Sequence, residues 1–299
     1  MAGTSVQSCP RCRRSCAESE FVCGLCGELL RRPQRTAKPV VLAPVVAVEQ
    51  PEVPRVASSR EKFEPWLYLG LGAVTAPVFA LTPFVGFMGW FLASLVHEMG
   101  HAAFAWFCGM PAVPAIALDG HAAAVHGEQS LFLVVLIALG LGSVAWRFLR
   151  GVPRGVALAL IAFGYPGLVL SGAKEVLHLL AGHSGELAFA TLSLWKTLDG
   201  GFTRSRAERL LYGTVGWFLL EKNVRMCWLL MHSESARADY MSNGSFGMTN
   251  DYLRVAEDIL YWRLESVALL MLVAALCVLP AAILGWRLSR RLRVQFESS

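Results

Sequence analysis

The chain has 299 residues, 55% of them hydrophobic and only 16% charged, with a formal net charge of +5 and a mean hydropathy of +0.49. A soluble domain of this size carries about a quarter charged residues, so the composition excludes an ordinary soluble enzyme and points to a membrane protein. The apolar residues are unevenly spread: the first 62 positions hold ten Lys/Arg, five of the eight cysteines and no long apolar run, and the character changes from Trp66 onward.

The first stretch, MAGTSVQSCPRC, has neither an apolar core nor a small-residue cleavage site, so no secretory signal is expected. Cys9 and Cys12 are followed after ten residues by Cys23 and Cys26, a C-x2-C-x10-C-x2-C pattern in which each pair can place two thiolates on one tetrahedral ion. Residues 1–32 therefore read as a zinc ribbon, folded by its metal because so short a segment buries too little surface alone. Four sulfurs close the coordination sphere, which suits a structural zinc or a module on which a regulator docks. Cys16 fits neither pair. Nucleic-acid binding competes as an explanation of the basic head, but basic flanks beside membrane spans are common enough to be preferred.

Residues 33–62 contain five prolines and no helical or strand period, and read as an extended, flexible tether. A membrane domain is expected over 63–289. A span needs about 20 apolar residues, which places candidates at 66–82, 84–108, 131–148, 156–172, 176–198, 210–230 and 266–286. The stretch 176–198 holds His178, His183 and Glu186 and is a candidate re-entrant segment. The expected fold is an all-α polytopic membrane protein with about six transmembrane helices (five to seven), a polar insertion at 231–262 and a basic tail at 290–299. By the positive-inside rule both termini are expected in the cytoplasm, as in a multi-pass protein of a prokaryotic plasma membrane. Six spans counted this way leave Arg147, Arg150 and Arg154 outside, against the same rule.

Within the second apolar run lies LVHEMGHAAF. On a helix, His97 and His101 stand one turn apart on one face and can share a metal ion. Glu98 lies beside the first ligand, where it can accept a proton from a metal-bound water. A carboxylate in an apolar span costs a few kcal/mol even on lenient scales, so the cluster is a functional hypothesis by default; a polar trio packing a helix bundle is the bland alternative.

Here the sequence resembles the site-2-protease family of intramembrane zinc metalloproteases, which carry H-E-x-x-H in a transmembrane helix and a later L-D-G. The resemblance covers roughly residues 84 to 205, with LDGG at 198–201, and implies Asp199 as third zinc ligand. Depth in the apolar sequence favours Glu186 instead, with His183, three residues earlier on the same face, as a ligand or a partner behind the ligands. Asp119, His121 and His126 remain further candidates, in a loop that reads either as exposed or as a re-entrant hairpin guiding an extended substrate by strand addition. The resemblance implies cleavage of a membrane-protein substrate within the lipid bilayer, with one catalytic and one structural zinc ion. The competing readings are a catalytically silent membrane adaptor that presents the ribbon, and an ion or metal carrier using the intramembrane His and Glu residues.

Overall fold

The computed structural model describes residues 6–9, 11–17, 22–23, 25–26, 30, 59–116, 122–200, 203, 205–242 and 250–297. Two compact units result, Met1–Val56 and Ala57–Ser299. In the first, β1 (Val6–Ser8) pairs antiparallel with β2 (Ser15–Ala17), with Gln7 opposite Cys16. Residues 33–58 of the expected tether lie outside the described residues, and 59–62 already belong to a helix.

Among its described residues, the second unit is helical apart from one hairpin. Helix α1 (Ser59–Leu81) stops at Thr82, and Pro83 opens α2 (Pro83–Phe107) at a position where its missing N–H has no helical partner to lose. The two helices are bent by 105° at this break. Strands β3 (Ala112–Ile116) and β4 (Ala122–His126) follow, antiparallel, with Pro114 opposite Ala124. Helix α3 (Leu131–Phe148) is apolar all round and buries only Val134 and Ala145, as expected of a helix facing lipid. It turns at Gly151 into α4 (Val152–Ala159), a π-turn (Leu160–Gly164) and α5 (Tyr165–Val169).

Helices α6 (Ala173–Asp199) and α7 (Arg206–His232) form an antiparallel pair in the middle of the unit. Leu194, Leu198 and Leu219 are wholly buried there, beside Val267 and Ala275 of α10 (Leu264–Leu276). The expected insertion at 231–262 contains α8 (Glu234–Ser242), the single turn α9 (Asp251–Leu253) and a π-helical stretch (Arg254–Leu260). Helix α11 (Val278–Glu297) continues α10 to the basic tail.

Side-chain contacts define two ends of this bundle. At one, Arg209 pairs with Glu64, Trp66 packs edge-on against Trp286, and Arg293 and Ser289 bond Asp199. At the other, Gln129 bonds the carbonyls of Cys108 and Val169 and receives Lys174, while Arg237 of α8 reaches Glu265 at the start of α10.

Among the described residues, three stretches can cross a membrane by length and composition, Leu131–Phe148, Val152–Val169 and Leu264–Arg293, and a fourth if the bent α1–α2 pair is one span. The described residues are thus predominantly helical, with three to four such stretches by length and composition alone, beside an expectation of about six spans. The first two expected spans are the two arms of one bent pair. Helices α6 and α7, at 27 residues each, are long enough, but polar side chains that face the interior dilute their apolar character.

Candidate metal centres

In the N-terminal unit the four expected thiols converge: Cys9 Sγ lies 3.6 Å from Cys26 Sγ, and Cys12 Sγ lies 3.5 Å from Cys23 Sγ. All four sulfurs fall within 4.8 Å of one another. Tetrahedral Zn–S bonds of about 2.3 Å would set sulfurs about 3.8 Å apart, so the cluster fits zinc with small adjustment. Backbone N–H groups of Leu25 and Cys26 bring the Cys23 thiol down to about 6, favouring the thiolate that a metal binds. Cys16 is buried outside this set, its thiol donating to the Arg14 carbonyl.

The second cluster is built on α2, which carries His97 and His101 on one face with ring centroids 4.8 Å apart. His101 Nδ1 lies 2.8 Å from the carbonyl of His178, and His97 Nδ1 lies 3.1 Å from Glu186 Oε1. A carbonyl and a carboxylate only accept, so with a metal ion at the Nε2 side each Nδ1 would carry the proton and each Nε2 would keep its lone pair. Those two Nε2 atoms are 3.1 Å apart, and Asp251 Oδ2 is 3.1 Å from both.

Three acceptor atoms at the corners of such a triangle repel unless a positive charge lies among them. Tetrahedral zinc with bonds of about 2.0–2.1 Å to nitrogen and oxygen sets ligands about 3.3–3.4 Å apart, so His97, His101 and Asp251 together could hold such an ion.

Of the third-ligand candidates inferred from sequence, Glu186 and His183 lie against the histidine pair and Asp199 does not. Glu186 is wholly buried on α6 and reaches His97 from behind, through Nδ1; it also accepts from Lys222 Nζ at 2.8 Å and Asn223 Nδ2 at 2.6 Å. His183 packs its ring between His97 and Tyr252, with centroids 4.5 and 4.4 Å away, and its Nδ1 has no hydrogen-bond partner among the described residues. His97, His183 and Glu186 form a second set that could hold a metal ion, their ligand atoms within 4.8 Å of one another, with Lys222 Nζ bonded to the Glu186 carboxylate. Asp199 stands at the opposite end of α6 in the company of Arg293 and Ser289, too far along the helix to meet the histidines. Asp119 and His121 lie outside the described residues.

Sequence reasoning does not single out Asp251, because depth in apolar sequence selects no residue of a polar segment. The residue sits in the insertion, in TNDYL, at the first position of α9. An Asn-Asp pair opening a helical pattern after a long polar stretch is the available signal. Tyr252, wholly buried against His183, anchors that turn.

Glu98 lines both cavities that meet at the histidines. One, of about 510 Å³, extends past His101 to His126, His178 and Arg254; the other, of about 240 Å³, extends past His97 to Trp90, Lys222 and Tyr240. Ala122, Ala123, Ala124 and His126 of β4 line the larger of the two beside Glu98, so the hairpin lies against the site. A carboxylate and three converging ligand atoms thus line one cavity, an arrangement that could support metal-assisted hydrolysis. No family model matches the chain, and no curated protein or solved structure shows significant similarity to it.

Proposed function

We propose that this protein is an intramembrane zinc metalloprotease that hydrolyses a peptide bond in or near a transmembrane segment of another membrane protein. The observation that carries the reading is the triangle of His97 Nε2, His101 Nε2 and Asp251 Oδ2, each side 3.1 Å, beside Glu98. Zinc bound there supplies Lewis-acid polarisation of a water and of the scissile carbonyl.

The chain's own residues do the rest. The His178 carbonyl and the Glu186 carboxylate fix the ring orientation and tautomer of the two histidines, as partners behind metal ligands do. Glu98 takes the proton from the attacking water and returns it to the leaving amine nitrogen. The substrate lies extended along β4, which pairs with β3 on one edge and lines the larger cavity with Ala122, Ala123, Ala124 and His126. Six helical passes cross the bilayer in this reading, with the bent α1–α2 pair as one and α6 and α7 shielded by the apolar helices around them. The four-cysteine ribbon, on the cytoplasmic side, holds a second, structural zinc and is a docking place for a regulator.

Glu98→Gln tests the proposal. It keeps both zinc ions, measured by elemental analysis of the full chain, and lowers cleavage of a membrane-protein substrate by about 10²-fold or more, the scale of a lost general base. A variant that cleaves as well as the parent contradicts the proposal. A catalytically silent adaptor would be indifferent to the substitution, and a carrier would show altered metal flux with no peptide product.

A further inference from the structure

The two ends of the helical bundle differ sharply in charge. The end that carries Asp199 and Trp286 is basic. Arg206 and Arg209 open α7 there, Lys196 closes α6, and Arg287, Arg290, Arg291 and Arg293 line α11, against Glu64, Asp199 and Glu208 among the described residues. The turn between α3 and α4 belongs to the same end. Helix α3 starts beside Gly109 and Gln129 at the other end and runs for 18 lipid-facing residues, about 27 Å at 1.5 Å per residue, close to the hydrocarbon thickness of a bilayer. It thereby delivers Arg147, Arg150 and Arg154 to the basic end, where Arg154 stacks over Trp146.

The opposite end is acidic. Lys174, Lys222, Arg225, Arg237, Arg254 and Arg263 are outnumbered by Glu128, Glu175, Glu221, Glu234 and Asp239 together with Asp251, Glu257, Asp258 and Glu265. This is the end at which β3, β4, α8 and α9 cluster, and from which Asp251 reaches the histidines.

Short segments rich in Lys and Arg remain in the cytoplasm, and the bias is counted in basic residues rather than net charge. On either count the two ends are distinguished in the same direction. We infer that the basic end is cytoplasmic and that the His97–His101–Asp251 site, with Glu98 and the β3–β4 hairpin, opens to the face of the membrane away from the cytoplasm.

The placement removes the conflict that arises when α1 and α2 are counted as two spans. With the bent pair as a single pass, the Arg147–Arg154 turn and the α11 tail return to the same face. Resting on the protease reading, the substrate class follows: membrane proteins whose scissile stretch is presented from the non-cytoplasmic side, to a site whose water enters from that side.

The orientation itself is tested without any activity. Glu128→Cys and, as an independent reporter, Ser235→Cys place thiols at the acidic end; Arg150→Cys and Arg290→Cys place them at the basic end. All four positions are outside the site. The full chain, expressed in intact cells, is treated with a membrane-impermeant polyethylene-glycol maleimide, and added mass is read against the parent chain with its native cysteines.

The expected result is labelling of the first two variants in intact cells and of the last two only after permeabilisation. The reverse pattern overturns the inference, as does labelling of both ends from one side. Neither outcome depends on whether the parent cleaves anything, so failure of the orientation and failure of the protease reading are told apart.

Discussion

Glu186 is wholly buried and accepts from His97, Lys222 and Asn223 at once. Its negative charge is balanced by Lys222, and through Nδ1 it raises the basicity of the His97 nitrogen on the far side of the ring. Glu186→Gln keeps the shape and removes the charge. The expected result is a 10–100-fold weaker hold on the metal at the histidine pair, the range seen when partners behind metal ligands are altered, measured by chelator competition; an unchanged affinity would mean that Glu186 serves only packing. The residues His97, Glu98 and His101 are legible in sequence because one helical turn fixes their mutual geometry wherever the helix lies. Asp251 is not, because its position depends on how Tyr252 docks against His183, a contact between segments far apart in the chain.

At the scale of elements, the site exists because α2 and α6 approach almost backbone to backbone. A Cβ on Gly100 would lie 2.3 Å from the Ala181 carbonyl oxygen, and one on Gly185 would lie 2.7 Å from Gly100 Cα. Gly182 sits directly under the imidazoles: a Cβ there would be 2.4 Å from His97 Nε2 and 2.5 Å from His101 Nε2. Gly182→Ala is therefore expected to displace both rings and to lose the metal while the apolar core of α6, α7 and α10 persists. Zinc content together with the thermal transition followed by circular dichroism checks this; retained zinc with an unchanged transition would show that the helices can part at no cost. The helix boundaries are largely legible, since apolar runs and the Pro83 break mark them, and α3 coincides with its expected span of 131–148. The number of passes is less so. A proline break reads alike for two spans and for one bent pair, and interior polar residues make α6 and α7 look less apolar than helices of their location.

For the whole molecule, candidate metal-holding groups lie in each of two compact units, so their ion contents should vary independently. Replacing Cys9 and Cys12 by Ser together is expected to unfold the ribbon, whose small core is the cysteines and Leu30, and to leave the metal at the histidine pair in place. Zinc content and limited proteolysis of the N-terminal segment report the two effects separately. The most direct test of the account is zinc counting on the purified full chain carrying Asp251→Ala or Asp199→Ala. Two ions per chain are expected in the parent and in Asp199→Ala, and one in Asp251→Ala. Two ions retained in Asp251→Ala, or one lost in Asp199→Ala, would contradict the ligand set on which the hydrolytic reading stands.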